Sequence, residues 1–368
     1  MNRLSQLREA GVSIWLDTLS RPLLETGEFA RLVREQAVTG ATSNPTIFAK
    51  AITGSDRYDD QLRAAVSSGM HSTQELFFQL GLEDIRRAAQ VLRPIYDASQ
   101  GTDGFVSFEC TPDLADDTDA TIAQALQLWA RLGLPNVMIK VPATAAGIPA
   151  IEELTTRGVN VNVTLLFSVE RYEQVIDAYL AGLERRARAG EPLAGVASVA
   201  SFFVSRVDTE ADARLPSDSP LRGKVAIANA HRAYGRYLAR FSDQRWEALR
   251  RQGAAPQRPL WASTGTKNPQ YSDVLYVEEL IASGVINTMP EQTLRAFADH
   301  GIVKPAFDTA IPTAQRTLAE IADAGLDLTA ITAALERAGV NAFCDSYRQL
   351  LDCIESKRAV LPHFAAAK

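Results

Sequence analysis

The chain has little of what marks a secreted, disulfide-linked or membrane-embedded protein. Its 368 residues include three cysteines, Cys110, Cys344 and Cys353. Their odd number and wide spacing match neither a disulfide framework nor a zinc pattern, which favours a reducing compartment. No apolar run approaches the roughly 18 residues of a membrane span, and the polar start MNRLSQLREAG lacks the apolar region of a signal peptide. We therefore expect a cytoplasmic protein that does not enter a membrane.

Histidine is also scarce, and no pattern for a cofactor is present. The four histidines, His71, His231, His300 and His363, are far apart in the sequence. Metal-dependent barrel hydrolases need clustered histidine and carboxylate ligands, so we expect no catalytic metal. There is no Walker pattern, and we expect no other cofactor. A net charge of −6 argues against nucleic acid or an anionic membrane as a general partner, although a local basic cluster can still bind an anionic small molecule.

Eight short apolar runs alternate with longer segments that have the period of a helix. They predict strands at residues 13–18, 40–44, 105–110, 137–142, 160–167, 196–204, 259–263 and 285–289. Strands that alternate with helices in this way are typical of a parallel (β/α)8 barrel. A doubly wound open sheet is the structural alternative. It usually has a glycine-rich turn after its first strand, and residues 17–20, Asp-Thr-Leu-Ser, contain no glycine.

The chain is longer than a minimal barrel, which needs about 250 residues. The surplus falls at about 46–104, at 205–258 and in a tail at 291–368. The first of these contains a capping box at Ser72 and Glu75, which predicts a helix that continues to about Ala98. There is no internal repeat, low-complexity stretch or linker. We therefore expect one domain, 1–368, folded as a single TIM barrel with helical insertions and a helical C-terminal extension.

Polar residues lie in or at the ends of the predicted strands. They are Asp17, Asn44, Glu109, Lys140, Asn162, Thr164, Ser201 and Ser263. Barrel active sites are built at the carboxyl ends of the strands, where most of these residues fall. Because side chains alternate along a strand, three pairs share a side: Ser107 with Glu109, Asn162 with Thr164, and Ser201 with Phe203. If these sides face inward, the polar groups converge at one mouth of the barrel.

Lys140 lies among apolar neighbours in the run N-V-M-I-K-V-P. A lysine in such a strand must be paired, or its amine must have a lowered pKa. One interpretation is structural, with Lys140 paired to Glu109 or Asp17. The other is catalytic, because an amine desolvated in this way is a nucleophile towards carbonyl carbon.

The other polar residues have similar alternatives. Asp17 suits either a turn after the first strand or a general acid/base, and Glu109 suits either a counter-ion or catalysis. The Thr164 hydroxyl can position a water molecule, but threonine is also an ordinary strand former. Asn44 and Asn162 can bind sugar hydroxyls or cap the following segment.

Two basic residues follow predicted strands and can be either solvated charges or anion ligands. Arg206 comes directly after S-F-F-V-S, and Lys267 lies in A-S-T-G-T-K-N, which begins the loop after Ser263. Small hydroxyl residues, a glycine and a lysine at a strand end suit a phosphate group.

Together these residues resemble the transaldolase family, in its longer, bacterial-type branch. The motifs are L-D-T at Asp17, A-T-S-N-P at Asn44, V-S-F-E at Glu109, I-K-V-P-A-T at Lys140, N-V-N-V-T-L-L-F-S at Thr164, S-F-F-V-S-R at Arg206 and N-T-M-P at 287–290. Several motifs in the same order are far more specific than any one of them. The family forms a lysine Schiff base and moves dihydroxyacetone from sedoheptulose 7-phosphate to glyceraldehyde 3-phosphate, giving erythrose 4-phosphate and fructose 6-phosphate in the pentose phosphate pathway.

The resemblance implies a role for each residue. Lys140 would form the Schiff base, Asp17 would move the C4 hydroxyl proton, and Glu109 with Thr164 would hold the water used at C2. Asn44, Asn162 and Ser201 would bind the dihydroxyacetone hydroxyls, with Ser107 and Phe203 beside them. Arg206, Ser263 and Lys267 would bind phosphate. Many relatives have S-x-R where this chain has S-T-G-T-K, so the second phosphate ligand departs from the pattern.

Two other functions compete with this one. A Schiff-base fructose-6-phosphate aldolase would release the three-carbon unit instead of transferring it; such relatives are usually much shorter, and Glu109 favours transfer. A non-catalytic phosphosugar-binding barrel would have lost the lysine, the aspartate or the glutamate, and all three are present. We expect phosphorylated ketoses and aldoses as substrates and a monomer or homodimer as the working form.

Overall fold

Eight parallel strands form a closed barrel. The computed structural model describes residues 2–305 and 311–360. The strands are β1 Ser13–Leu16, β2 Val38–Ala41, β3 Val106–Glu109, β4 Val137–Pro142, β5 Val161–Leu166, β6 Ser198–Phe203, β7 Arg258–Ala262 and β8 Ile286–Met289. Each strand pairs in parallel with the next, and β8 pairs with β1. This closure confirms the TIM barrel and rules out the open sheet.

Helices surround the barrel and cover part of its mouth. Within the described residues they are α1 Arg3–Glu9, α2 Arg21–Glu25, α3 Glu28–Glu35, α4 Pro45–Thr53, α5 Asp59–Ser67, α6 Thr73–Ala98, α7 Thr118–Leu132, α8 Gly147–Thr156, α9 Val169–Arg188, α10 Ser205–Asp212, α11 Val225–Arg240, α12 Gln244–Arg250, α13 Leu275–Glu279, α14 Glu291–His300, α15 Ile311–Asp323 and α16 Leu328–Val360. No helix in these two ranges is both long and apolar enough to cross a bilayer.

All eight predicted strands are present, but the second one is displaced. It was expected at 40–44 and instead spans Val38–Ala41. Val38 and Thr39 are β-branched and suit a strand. At the other end, the Asn44 side chain accepts a hydrogen bond from the Ile47 N–H and caps α4, so the chain leaves the sheet before residue 44.

The surplus sequence is helical where it was expected to be. Residues 46–104 contain most of α4 and all of α5 and α6, and the Ser72 hydroxyl caps α6 by accepting from the Glu75 N–H, as the capping box predicts. Residues 205–258 contain α10 to α12, and the tail contains α14 to α16. Residues 306–310 and 361–368 of the tail, including His363, lie outside the described residues.

The barrel core is apolar and tightly closed. Trp15 on β1 and Trp261 on β7 are fully buried, and every strand residue except Arg258 is buried. Burial of this much apolar surface is the main source of stability. It leaves the strand ends and their loops as the place where polar groups can meet.

Candidate active site

A cavity of about 160 Å³ opens at the carboxyl ends of the strands. Nine of the twelve predicted site residues line it: Asp17, Asn44, Lys140, Thr164, Ser201, Phe203, Arg206, Ser263 and Lys267. The other three, Ser107, Glu109 and Asn162, lie just behind its wall. A larger cavity of about 540 Å³ is bordered by Arg8, Ser13 and Arg258 at the opposite end of the barrel, so size alone does not identify the site.

Lys140 and Glu109 form a buried ion pair at the base of this cavity. They are direct neighbours across β3 and β4, and because paired residues in adjacent strands share a face, their side chains meet. Lys140 Nζ lies 3.2 Å from Glu109 Oε2, and both side chains are 7% exposed. The amine also donates to the Ser43 carbonyl oxygen at 3.0 Å. The inward convergence expected from the two-residue period is therefore present.

Asp17 stands on the cavity wall and is held by a threonine. Its Oδ1 accepts a hydrogen bond from the Thr42 hydroxyl at 2.9 Å, and Thr42 is in turn 3.0 Å from the Thr288 hydroxyl. Burial raises the pKa of Asp17, against the opposing effects of Lys140, the Thr42 hydrogen bond, Lys267 and Arg206. Its carboxylate accepts from a side chain of β2's C-terminal loop, so the turn-capping interpretation does not describe it.

The carboxyl of Glu109 has a similar electrostatic setting. Burial raises its pKa, the charge and hydrogen bond of Lys140 oppose that shift, and the nearby charge of Asp17 adds to it. Two carboxyls with raised pKa values therefore flank one amine. Titratable groups perturbed by burial and by specific charges are typical of functional sites.

Three polar side chains form a hydrogen-bonded row behind and along the wall. The Asn162 amide donates to the Ser107 hydroxyl at 2.9 Å, and the Ser201 hydroxyl donates to Asn162 Oδ1 at 2.7 Å. Only Ser201 reaches the cavity. Ser107 and Asn162 are fully buried, so their amide and hydroxyl groups fix the Ser201 hydroxyl in place.

Thr164 differs from these residues because its hydroxyl has no protein partner. The side chain is buried, lines the cavity, and its Oγ1 makes no hydrogen bond within the described part of the chain. An unpaired buried hydroxyl is costly, so a group that can bond to it is expected to come from a bound molecule. Asn44 also lines the cavity while its side-chain oxygen caps α4.

The far end of the cavity is basic. The Arg206 guanidinium lies 5.5 Å from the centre of the Phe203 ring, and it makes no ion pair with any residue in 2–305 or 311–360. Burial lowers the pKa of Arg206, and the charge of Asp17 opposes that effect. Ser263 contacts Ser205 through their hydroxyls at 2.9 Å, and the exposed Lys267 lies on the same rim. This end suits an anionic group.

The part of the chain that the structure describes contains no group of three or more His, Cys, Asp or Glu residues that can hold a metal ion.

Comparisons with known proteins establish the family of the chain. The family model for transaldolase/fructose-6-phosphate aldolase matches residues 14–354. The chain belongs to this family. It is 51% identical over 362 residues to a transaldolase of Parafrankia sp. (strain EAN1pec), covering 96% of this chain and 97% of the relative. It is 49% identical over 364 residues to a transaldolase of Thermobifida fusca (strain YX), covering 97% and 98%. The family resemblance inferred from the motifs is confirmed.

Sequence reasoning missed three residues of this transaldolase-family site. Thr42 and Thr288 line the cavity beside Asp17, and both lie inside motifs already singled out, A-T-S-N-P and N-T-M-P. Phe343 also lines it but comes from α16, far away in sequence. No local pattern marks Phe343, because its role depends on where a long helix crosses the barrel.

Proposed function

We propose that this chain is a transaldolase that transfers dihydroxyacetone from sedoheptulose 7-phosphate to glyceraldehyde 3-phosphate through a Schiff base on Lys140. It is a transferase, because relatives that are 51% identical to it are named transaldolase. The observation that carries the proposal is the Lys140 amine, buried beside Glu109 at the base of a cavity whose wall also presents Asp17. An amine between two carboxyls provides both a nucleophile and acid/base groups.

The first half of the reaction forms and uses the Schiff base. The Lys140 amine attacks the ketose C2 carbonyl, and loss of water gives a protonated imine. Glu109 and the otherwise unpaired Thr164 hydroxyl hold that water. Asp17 takes the proton of the C4 hydroxyl as the C3–C4 bond breaks, and the electron pair of that bond passes to the imine. No metal is required for this step, because the imine accepts the electrons.

The second half reverses these steps on a new aldehyde. The enamine on Lys140 attacks the acceptor aldehyde carbon, and Asp17 returns its proton to the new hydroxyl. Water then hydrolyses the imine and releases the new ketose. A carboxyl with a raised pKa suits Asp17, because it must both accept and donate a proton at near-neutral pH.

The remaining cavity residues bind the sugar. Asn44 and Ser201 contact the hydroxyls of the dihydroxyacetone unit, Asn162 and Ser107 hold Ser201 from behind, and Phe203 supports Arg206. The phosphate binds Arg206, Ser263 and Lys267. Lysine replaces the forked contact of a second arginine with a point charge, so Arg206 carries most of the geometric specificity.

Trapping with borohydride tests this mechanism directly. Fructose 6-phosphate is added, the imine is reduced, and the digested protein is analysed by mass spectrometry. We expect a reduced three-carbon adduct on the peptide that contains Lys140, and none in Lys140→Met. Lys50→Met, which removes an exposed lysine of α4, serves as the matched control and should retain the adduct. An adduct on another lysine would overturn the assignment.

Product analysis separates transfer from simple cleavage. With fructose 6-phosphate as donor and erythrose 4-phosphate as acceptor, the three-carbon unit should appear in sedoheptulose 7-phosphate. Without an acceptor, little dihydroxyacetone should be released. Release at the full rate without acceptor would identify an aldolase, and binding without any turnover would identify a non-catalytic barrel.

The sequence and the cavity also bear on the oligomeric state, partners, location and domain organisation of the enzyme. We propose a monomer or a homodimer as the working form. The negative net charge gives no reason to expect nucleic acid or a membrane as partner. Sugar-phosphate substrates and three widely spaced cysteines support our proposal of a cytoplasmic enzyme. We propose that the chain forms one domain over 1–368, because Phe343 of α16 lines the same cavity as residues of the strands.

A further inference from the structure

Helix α16 is held across the barrel mouth at several points. Near its start, Glu336 pairs with Arg171 of α9 at 3.2 Å, and near its end Lys357 pairs with Asp59 of α5 at 2.7 Å. Between them, Gly339 approaches the end of β5 so closely that a Cβ there would lie 3.0 Å from Leu165 Cδ2. The helix therefore has a defined position over the strands.

Phe343 is the residue that this helix places in the cavity. It is buried, and its ring centre lies 6.0 Å from Lys140 Nζ. At this distance the ring face favours a positive charge on the nitrogen, whether that nitrogen is an ammonium or an imine. The ring also lines the same cavity as Lys140, where it takes up volume beside the amine.

Exclusion of water from Lys140 matters for transfer because the reaction passes through an intermediate that water can divert. After the C3–C4 bond breaks, the three-carbon fragment waits on Lys140 as an enamine. In transfer, its C3 forms a bond to the aldehyde carbon of the acceptor. In the competing reaction, C3 takes a proton from water to give the imine, and a second water adds to C2. That second step frees dihydroxyacetone and restores the lysine amine.

We propose that Phe343 is a specificity-determining residue: it shields the enamine on Lys140 from water and so favours transfer over release. This inference rests on the proposed function. Closed, dry sites protect reactive intermediates from hydrolysis, and an aromatic side chain does this without adding a competing proton donor. The residue comes from the tail, to which the sequence alone assigns no role.

Two rates measured on the same protein test the inference. One is release of dihydroxyacetone from fructose 6-phosphate without acceptor, and the other is transfer to erythrose 4-phosphate. Phe343→Ala should raise the ratio of release to transfer by about fivefold or more, because water gains access to the intermediate. Phe343→Leu keeps part of the apolar cover and should raise it less, by about twofold.

Leu350→Ala is the matched control. Leu350 is buried on the same helix but is not part of the cavity wall, so its loss loosens α16 without removing the ring. Its ratio should equal that of the wild type, and a rise equal to that of Phe343→Ala would overturn the inference. An unchanged ratio in the Phe343 variants would do the same. If the alanine variant does not fold, the leucine variant decides.

Failure of this inference differs from failure of the proposed function. A wild-type protein that neither transfers the three-carbon unit nor forms an adduct on Lys140 would contradict the function itself. A wild type that transfers, with variants that keep its ratio, would contradict only the role of Phe343.

Discussion

At the scale of single residues, opposing electrostatic effects determine the pKa of the Asp17 carboxyl. Burial raises the pKa of its carboxyl, while Lys140, the Thr42 hydroxyl, Lys267 and Arg206 all favour its ionised form. In the proposed role of base for the C4 hydroxyl proton, Asp17 must be ionised. Activity should therefore be lost as the pH falls through a pKa that lies above the usual range of an aspartate.

Replacing Asp17 should stop the reaction after the Schiff base has formed. We expect Asp17→Asn to lower kcat by about 10²–10⁴-fold, the usual contribution of a positioned base. Borohydride should then trap a six-carbon phosphorylated adduct on Lys140, because C3–C4 cleavage is blocked. The exposed Asp56 offers a control, and Asp56→Asn should give the three-carbon adduct. A three-carbon adduct formed at the normal rate in Asp17→Asn would contradict the assigned role.

We expect the hydrogen bond from Thr42 to influence the pH dependence of kcat through the pKa of Asp17. Its hydroxyl donates to Asp17 at 2.9 Å, which lowers the pKa of that carboxyl. In Thr42→Val the bond is lost, the pKa rises further, and the acid limb of the kcat profile should move up by about 0.5–1 pH unit. Thr42→Ser keeps the hydroxyl and should retain the wild-type profile. A valine variant that lowers kcat equally at every pH would show a packing role instead.

At the scale of elements, two segments that carry the basic residues are tied together. Arg206 lies on α10, and Lys267 lies on the loop between β7 and β8. Tyr271 of that loop donates from its hydroxyl to Asp212 Oδ2 of α10 at 2.6 Å. This bond connects the two segments that carry the cations proposed to bind phosphate.

Loss of the hydrogen bond between Tyr271 and Asp212 should weaken binding of the phosphate group and leave binding of the rest of the sugar unchanged. Tyr271→Phe should raise KM for fructose 6-phosphate by about 3–10-fold, since a hydrogen bond to a charged group is worth about 1.5–3 kcal/mol and part of it orders the loop. KM for unphosphorylated fructose should not change. Tyr96→Phe, at a tyrosine packed on Phe105 away from the cavity, provides the control. An equal rise with both sugars would show that the tie does not act through phosphate.

The insertion between β2 and β3 is fastened to the barrel by a buried ion pair. Arg21 of α2 donates to Asp84 of α6 at 2.5 Å, with side-chain exposures of 3% and 0%. Tyr58 also donates to Asp84, at 2.9 Å. These contacts connect the turn after β1 to the long helix α6, so the insertion stabilises the segment that follows Asp17.

Removing one partner of this pair should be costly because the other charge stays buried. Asp84→Ala should lower the free energy of unfolding by roughly 3–5 kcal/mol. Tyr58→Phe deletes two hydrogen bonds at the same site, the one donated to Asp84 and the one accepted from the Arg21 backbone N–H, and should cost about 1–3 kcal/mol. Urea denaturation measures both. If both variants lost the same small amount of free energy of unfolding, water would be reaching Arg21 in Asp84→Ala.

At the scale of the whole molecule, most of the barrel could be predicted from the sequence and part of the site could not. Alternating apolar strands and amphipathic segments determine closure, and equal register across β3 and β4 lets Lys140 meet Glu109. The hydrogen bond between Thr42 and Asp17 depends on where β2 ends. Because Asn44 caps α4, β2 ends at Ala41, before the predicted boundary. Phe343 depends on the path of a 33-residue helix, and tertiary packing decides that path.

Because α16 forms part of the cavity wall, it should unfold together with the barrel. In a variant that keeps only Trp15 and Trp261, both buried in strands, tryptophan fluorescence reports the barrel and far-ultraviolet circular dichroism reports the helices. The two urea transitions should coincide, as for one cooperative unit. Loss of helix signal at lower urea would mean that the tail is a separate unit.

The position of Phe343 also has a consequence for synthesis. Every strand of the barrel precedes α16 along the chain, so a nascent protein carries Lys140, Asp17 and Glu109 before it carries Phe343. If α16 and the barrel fold as one cooperative unit, the strands cannot complete their fold until this last helix has been synthesised. A chain halted before α16 would then lack both the proposed shield and the stable barrel around Lys140.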